Sequence, residues 1–91
     1  MKFLVAILFL FPLSVSAIDD NLAVRAIVGE SSNQSARGQL AVACAIRNRG
    51  TLAGVMGLKA AHVRHEPKWV WARARRAWAD SLKHDITGGA T

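Results

Sequence analysis

The sequence predicts a small domain that is mainly α-helical. Three observations support this prediction. Residues suited to a helix N-cap precede one apolar stretch, a glycine directly follows a second, and tryptophans in the C-terminal third recur at helical spacing. At 91 residues the chain is long enough for one domain with a thin core.

The first 17 residues have the pattern of a secretory signal peptide. Lys2 gives a positive start, residues 3–13 are apolar, and residues 15–17 are small, as at a cleavage site. Pro12 interrupts an apolar stretch that is shorter than the roughly 20 residues needed to span a bilayer. We therefore expect residues 1–17 to be removed, leaving an exported domain with no stable membrane span, in the periplasm or outside the cell.

Two helices are expected in the first half of that domain. Residues 19–21 are good N-cap residues for a helix that runs through Val28. Residues 30–37 are rich in serine, asparagine and glutamine, and we predict a loop there. Residues 39–49 form a second, mostly apolar helix, which Gly50 ends and which we expect to be the central element.

A third helix is expected after a glycine-punctuated loop at residues 50–57 and one or two helical turns at residues 58–65. Pro67 suits the first position of this helix, which we expect to reach about Lys83. One face of this helix is apolar, and the other carries basic residues and a single acidic residue. The apolar face has Trp71, Ala74, Trp78 and Leu82, and the other has Arg73, Arg76, Asp80 and Lys83.

Glu30 is the first candidate for chemistry. It lies where the first predicted helix meets the polar loop, so its carboxylate is expected against packed apolar side chains with one side open. A half-buried carboxyl group of this kind is suited to general acid catalysis near neutral pH. The alternative is a helix-terminal surface glutamate with no role in catalysis.

The sequence gives no pattern for a cofactor or metal site. His62 and His65 share a helical spacing with Glu66 beside them, and His84 is isolated, but zinc needs a larger ligand set. We therefore expect the three histidines to lie on the surface, in contact with solvent. Cys44 lies within the apolar second helix, where a thiol packs rather than reacts, and it has no second cysteine for an internal disulfide.

The charge balance favours an anionic partner. The net charge is +6, and only one lysine lies in the predicted signal peptide. For an exported protein we expect acidic envelope polymers or membrane surfaces rather than nucleic acid, and we expect a monomer. Trp69, near the start of the third helix, is a candidate ligand contact, and Arg73, Arg75 and Arg76 form either a phosphate contact or a solvated face.

Four ordered motifs resemble the cell wall hydrolases of the SleB type. They cover most of residues 18–91 in the order of that family. The motifs are Gly29-Glu30-Ser31 with Asn33-Gln34, Gly38-Gln39-Leu40-Ala41-Val42-Ala43, Asn48-Arg49, and Thr87-Gly88-Gly89-Ala90. The resemblance implies a lysozyme-like helical domain that acts on peptidoglycan, is associated with the cell wall, and has Glu30 as its catalytic acid.

The resemblance also implies a C-terminal β segment, since in this family an aromatic-rich strand usually follows the last motif. We therefore expect residues 18–91 to be a partial domain. Ser31 and Asn48, which lie within the motifs, and Trp69 are the expected substrate contacts.

A single-glutamate mechanism is the simplest one for this sequence. No other carboxylate has a context comparable to that of Glu30, whereas most glycosidases use two. Such a mechanism would cleave the bond between N-acetylmuramic acid and N-acetylglucosamine, as in a lytic transglycosylase or a muramidase. Two alternatives are a non-enzymatic exported cationic protein that binds anionic envelope polymers, and an inactive truncated hydrolase.

Overall fold

The computed structural model describes residues 18–91, and the predicted signal peptide lies outside them. This part of the chain is mainly helical, as predicted, and no strand occurs in it. The elements in chain order are α1 (Asp20–Ser31), α2 (Ala36–Arg49), two 3₁₀ helices (Met56–Lys59 and Ala61–His65) and α3 (Lys68–Asp80).

Helix α1 is the central element of the described residues, whereas the sequence favoured α2. Asp19 caps α1 as predicted, because its side chain accepts a hydrogen bond of 3.0 Å from the backbone N–H of Leu22. Helix α1 contacts α2, α3 and both 3₁₀ helices. Its small and branched side chains let these elements approach from several sides, and those at the core are Ala23, Val24, Ala26, Ile27 and Val28.

Helix α2 begins three residues earlier than predicted, so the loop before it covers only residues 32–35. Ser35 caps the helix by accepting a hydrogen bond of 3.1 Å from the backbone N–H of Gly38. Arg37, which was predicted in the loop, therefore lies in the first turn of the helix and is exposed. Gly50 ends α2 in the left-handed conformation with φ of 78°, as its position in the sequence predicted.

Helix α3 ends at Asp80 rather than near Lys83. The hydroxyl of Ser81 donates a hydrogen bond of 2.6 Å to the carbonyl of Trp78, which satisfies one of the last carbonyls of the helix. Ala74 and Trp78 are buried and Trp71 packs against the core, as the predicted apolar face requires. Leu82 was wrongly placed on that face, because it follows the end of the helix and is 70% exposed.

Trp78 joins the three helices at one end of the domain. Its indole N–H donates a hydrogen bond of 2.7 Å to Asp20, the first residue of α1. The guanidinium of Arg47, near the end of α2, lies 3.7 Å from the ring centroid and donates a hydrogen bond of 2.8 Å to the carbonyl of Trp78. Burial lowers the pKa of Arg47, and the nearby charge of Asp20 opposes this effect.

No helix within residues 18–91 combines the length and the apolar composition that crossing a membrane requires.

Candidate functional site

Glu30 lies in the last turn of α1 and is exposed, so the expectation of a half-buried carboxylate was wrong. The reason is the residue that crosses this end of α1. The backbone of Gly57, from the first 3₁₀ helix, packs against Glu30, and glycine has no side chain with which to cover a carboxylate. The carboxylate is therefore accessible from solvent, as a group that reacts with a polymer must be.

A backbone hydrogen bond positions the carboxylate. The N–H of Gly57 donates to Oε2 of Glu30 over 2.5 Å, and within residues 18–91 no donor contacts Oε1. One oxygen of Glu30 is thus held in place while the other is available to a ligand.

The hydrogen bond depends on a close approach of two glycines. A Cβ atom on Gly29 would lie 1.8 Å from the carbonyl oxygen of Gly57, and one on Gly57 would lie 2.6 Å from Cγ of Glu30. Neither position has room for a side chain, so the pair of glycines is what allows the backbone N–H to reach the carboxylate.

Glu30 lies at a cleft of about 230 Å³ between α2 and the loop that follows it. Most of the lining is apolar, and two charged side chains stand out in it. The lining residues are Glu30, Val42, Ala45, Ile46, Arg49, Gly54, Val55 and Thr91. Among these residues of the described chain, Glu30 is the sole side-chain carboxylate, and Arg49 supplies a cation. An apolar groove with a few converging polar groups is typical of a small-molecule or polymer site.

His62 contacts the end of α1 that carries Glu30. Its Nε2 lies 3.1 Å from the carbonyl oxygen of Gly29, and its Nδ1 lies 2.9 Å from Oε2 of Glu66. Both neighbours are acceptors, so both ring nitrogens donate only when the imidazole is protonated. The hydrogen bond with Glu66, followed by that with Gly29, raises the pKa of His62.

Ser31 does not line the cleft. It is fully buried, and its hydroxyl donates a hydrogen bond of 2.7 Å to the carbonyl of Ile27 within α1. A serine that satisfies its hydroxyl inside the core has no access to a substrate on the surface. The predicted substrate contact at Ser31 therefore does not match its position in the structure, where Ser31 is part of the packing.

Asn48 holds the C-terminal turn of the described chain. Its side-chain amide lies 3.0 Å from the carboxylate of Asp85, 3.3 Å from the hydroxyl of Thr87 and 3.1 Å from the carbonyl of Ala90. Hydrogen bonds from Thr87, then from Asn48, lower the pKa of Asp85. This turn leads to Thr91, which lines the cleft. Asn48 therefore supports the cleft indirectly, by holding the turn in place.

Trp69 is exposed but does not line the Glu30 cleft. Its side chain is 60% exposed at the start of α3, and the guanidinium of Arg73 lies 5.0 Å from its ring centroid. The structure thus brings Glu30 to a cleft that Asn48 supports indirectly, and it places Trp69 on a separate surface.

The remaining candidates have ordinary structural surroundings. Cys44 is buried, and its thiol lies 3.0 Å from the carbonyl oxygen of His84, which agrees with the predicted packing role. His62, His65 and His84 are exposed. Within residues 18–91, no group of three or more histidine, cysteine, aspartate or glutamate side chains could hold a metal ion.

Two residues near Glu30 were missed in the sequence. Gly57 lies in a segment that the glycine spacing marked only as a loop, and His62 was interpreted as solvated. The signal for Gly57 is weak, because no pattern shows that its N–H faces a side chain 27 residues away. His62 and Glu66 do have the spacing of a helical ion pair, which could have indicated a paired histidine.

Comparisons of this chain with protein families, with curated proteins and with solved structures find no match. The motif resemblance described above therefore stays a prediction, and the function is argued from the geometry of the site.

Proposed function

We propose that this chain cleaves the glycan strand of peptidoglycan and that Glu30 is both the acid and the base of the reaction. The observation that carries the proposal is the position of Glu30. Its carboxylate lies at an open cleft, is held through Oε2 by a backbone N–H, and is the sole side-chain carboxylate among the described residues that line the cleft. A single, oriented and accessible carboxyl group fits a single-glutamate mechanism.

In the first step, protonated Glu30 donates its proton to the glycosidic oxygen between N-acetylmuramic acid and N-acetylglucosamine. The bond from the anomeric carbon to that oxygen breaks, and the released sugar leaves as an alcohol. The carbonyl oxygen of the substrate's own acetamido group stabilises the cation that forms at the anomeric carbon. This substrate assistance replaces the second carboxylate that most glycosidases use.

In the second step, ionised Glu30 takes a proton from the attacking oxygen. If the 6-hydroxyl of the muramyl residue attacks the anomeric carbon, a 1,6-anhydro ring closes and the enzyme is a lytic transglycosylase. If water attacks, the product is a reducing sugar and the enzyme is a muramidase. Either way Glu30 recovers its proton, so it acts as acid and then as base.

The chemistry of the cleft supports an acidic glycan as substrate. The apolar lining around Val42 and Val55 suits the faces of sugar rings, and Arg49 suits a carboxylate such as that of the muramyl lactyl group. The basic net charge of +6 supports the same class of substrate, and the motif resemblance supports peptidoglycan in particular. This function requires export to the cell wall, which agrees with the predicted signal peptide.

The test is an assay of residues 18–91 on purified peptidoglycan, with the soluble products identified by mass spectrometry. We expect muropeptides, with anhydro ends for a transglycosylase and reducing ends for a muramidase. Glu30→Gln should lower the rate at least about 100-fold, because it keeps the shape but removes the proton. Asp19→Asn is the matched control, since it makes the same acid-to-amide change at the opposite end of α1, where asparagine caps the helix as well as aspartate does.

Two results would contradict the proposal. Retained cleavage by Glu30→Gln would remove Glu30 from the mechanism. Unchanged peptidoglycan after incubation with the unmodified protein would favour the alternative that this chain is a non-enzymatic cationic protein, or a hydrolase without activity.

A further inference from the structure

A second concave surface lies between α2 and α3. We call it the arginine groove. It has a volume of about 170 Å³ and is lined by Ala36, Arg37, Leu40, Arg73, Arg76, Ala77 and Asp80. An adjoining depression shares Ala36, Arg73 and Arg76 and extends the groove to Ala72. Three guanidinium groups therefore face one carboxylate, which leaves an excess of positive charge.

The arginine groove and the Glu30 cleft are different surfaces. In the part of the chain that the structure describes, they have no lining residue in common. Both use α2, but Leu40 in the groove and Val42 in the cleft are two residues apart, and such residues lie on opposite sides of a helix. A ligand in the groove therefore does not occupy the space in front of Glu30.

Arg73 is fixed in the groove by a buried residue. Its Nε donates a hydrogen bond of 2.8 Å to the side-chain oxygen of Gln39. Gln39 is fully buried, and its own side-chain N–H donates to the carbonyl of Ser31. Arg73 also donates to the carbonyl of Gln34. An arginine has five N–H donors, so several remain for a ligand after these contacts.

The other two arginines are available. Within residues 18–91, Arg37 and Arg76 are exposed and have no hydrogen-bond partner. Trp69 continues the same surface, because Trp69, Arg73 and Arg76 are spaced by four and three residues along α3 and therefore share a face. Its exposed ring provides a flat apolar surface beside the guanidinium of Arg73.

We propose that the arginine groove, together with Trp69, binds an anionic glycan polymer and anchors the protein to it. Trp69 stacks on a sugar ring, and the three arginines bind carboxylates along the strand. The choice of a carboxylate-bearing glycan over other polyanions rests on the proposed function. The surface itself rests on the positions of Trp69 and the arginines.

The experiment measures binding of the protein to polygalacturonate, a soluble polymer with one carboxylate on each sugar, with neutral dextran as the comparison. Protection of tryptophan fluorescence from acrylamide reports contact at Trp69, since Trp71 is partly buried and Trp78 is buried. We expect protection by polygalacturonate and none by dextran.

A pair of double variants separates the groove from net charge. Arg37→Gln with Arg76→Gln should weaken binding at least about fivefold, because two charge contacts are lost. Arg64→Gln with Arg75→Gln removes the same charge from positions outside the groove and should weaken binding less than about twofold. Equal weakening by the two pairs, or no weakening by the first, would overturn the proposal.

Two further measurements fix the ligand class and the relation to Glu30. Single-stranded DNA that binds more tightly than polygalacturonate at the same ionic strength would overturn the choice of a glycan. Glu30→Gln should bind polygalacturonate as the unmodified protein does. An inactive protein that still binds through the groove would contradict the proposed function and leave the anchoring surface supported.

Discussion

The contact between Gly29 and Gly57 leads to a prediction in which the usual effect of a substitution is reversed. Gly29 lies inside α1, where replacing glycine by alanine normally stabilises a helix by about 1 kcal/mol. Here the new Cβ would lie 1.8 Å from the carbonyl oxygen of Gly57, and the obstructing atom belongs to the backbone. The two segments would have to separate, and the hydrogen bond from Gly57 to Glu30 would be lost with them.

The expected magnitude follows from these opposing effects. Overpacking costs about 1–3 kcal/mol, and losing a hydrogen bond to a charged group costs about 1.5–3 kcal/mol. After the gain in helix propensity of about 1 kcal/mol, Gly29→Ala should lower the free energy of unfolding by about 1.5–5 kcal/mol. Urea unfolding followed by far-ultraviolet circular dichroism measures this difference, because the described residues are mainly helical.

Gly38→Ala is the matched control in α2. Its Cβ would lie 2.6 Å from Oε1 of Gln34, the far end of an exposed and flexible side chain that can rotate away. It would also lie 3.0 Å from Cβ of Gln34, which has to shift by a few tenths of an ångström. We expect this variant to be as stable as the unmodified protein or up to about 1 kcal/mol more stable. Equal stability of Gly29→Ala and Gly38→Ala would show that Gly29 and Gly57 are not in contact, and the argument for how Glu30 is held would fail.

Two further predictions concern pH and the C-terminal turn. Because the pKa of His62 is raised above its ordinary value of 6.5, its bonds should stabilise the fold fully below that value, and the contribution should disappear as the pH rises through the raised pKa. The stability difference between the unmodified protein and His62→Gln should therefore be larger at about pH 5.5 than at about pH 8.5, and a difference that grows with pH would contradict this. Asn48→Ala should release the turn that contains Asp85 and Thr87. Hydrogen exchange should then speed up at the amides of Thr87 and Gly89, which bond to Asp85. Unchanged exchange there would show that Asn48 does not hold the turn.

Much of the fold could be predicted because its signals are local. Asp19 as an N-cap and Gly50 as a helix end depend on their own conformations and on neighbours within a few residues. The end of α3 was predicted near Lys83 instead of at Asp80, although the sequence shows the serine at position 81 that caps the helix. The hydroxyl of Ser81 bonds both to the carbonyl of Trp78 and to Arg47, and Arg47 comes from another helix.

The site was harder to predict because its contacts are long-range. Glu30 was found from its place at a helix end, but its exposure depends on Gly57 lying across it. The burial of Ser31 was also missed in the sequence. It lies on the face of α1 that also carries Ile27, and the polar residues after it concealed that the helix continues. Patterns of sequence spacing contain no information about which backbone segment covers a given side chain.

The contact of Trp78 with Asp20 has a consequence for how the domain folds. It joins residues 58 positions apart, so the loop that it closes spans most of the described chain. Arg47, from the helix between them, completes the contact and links α2 to the same end. All three helices therefore meet at Trp78, so we expect them to fold in one cooperative transition, with the long separation slowing the rate. The fluorescence of Trp78 would then report completion of the whole fold rather than formation of a single helix.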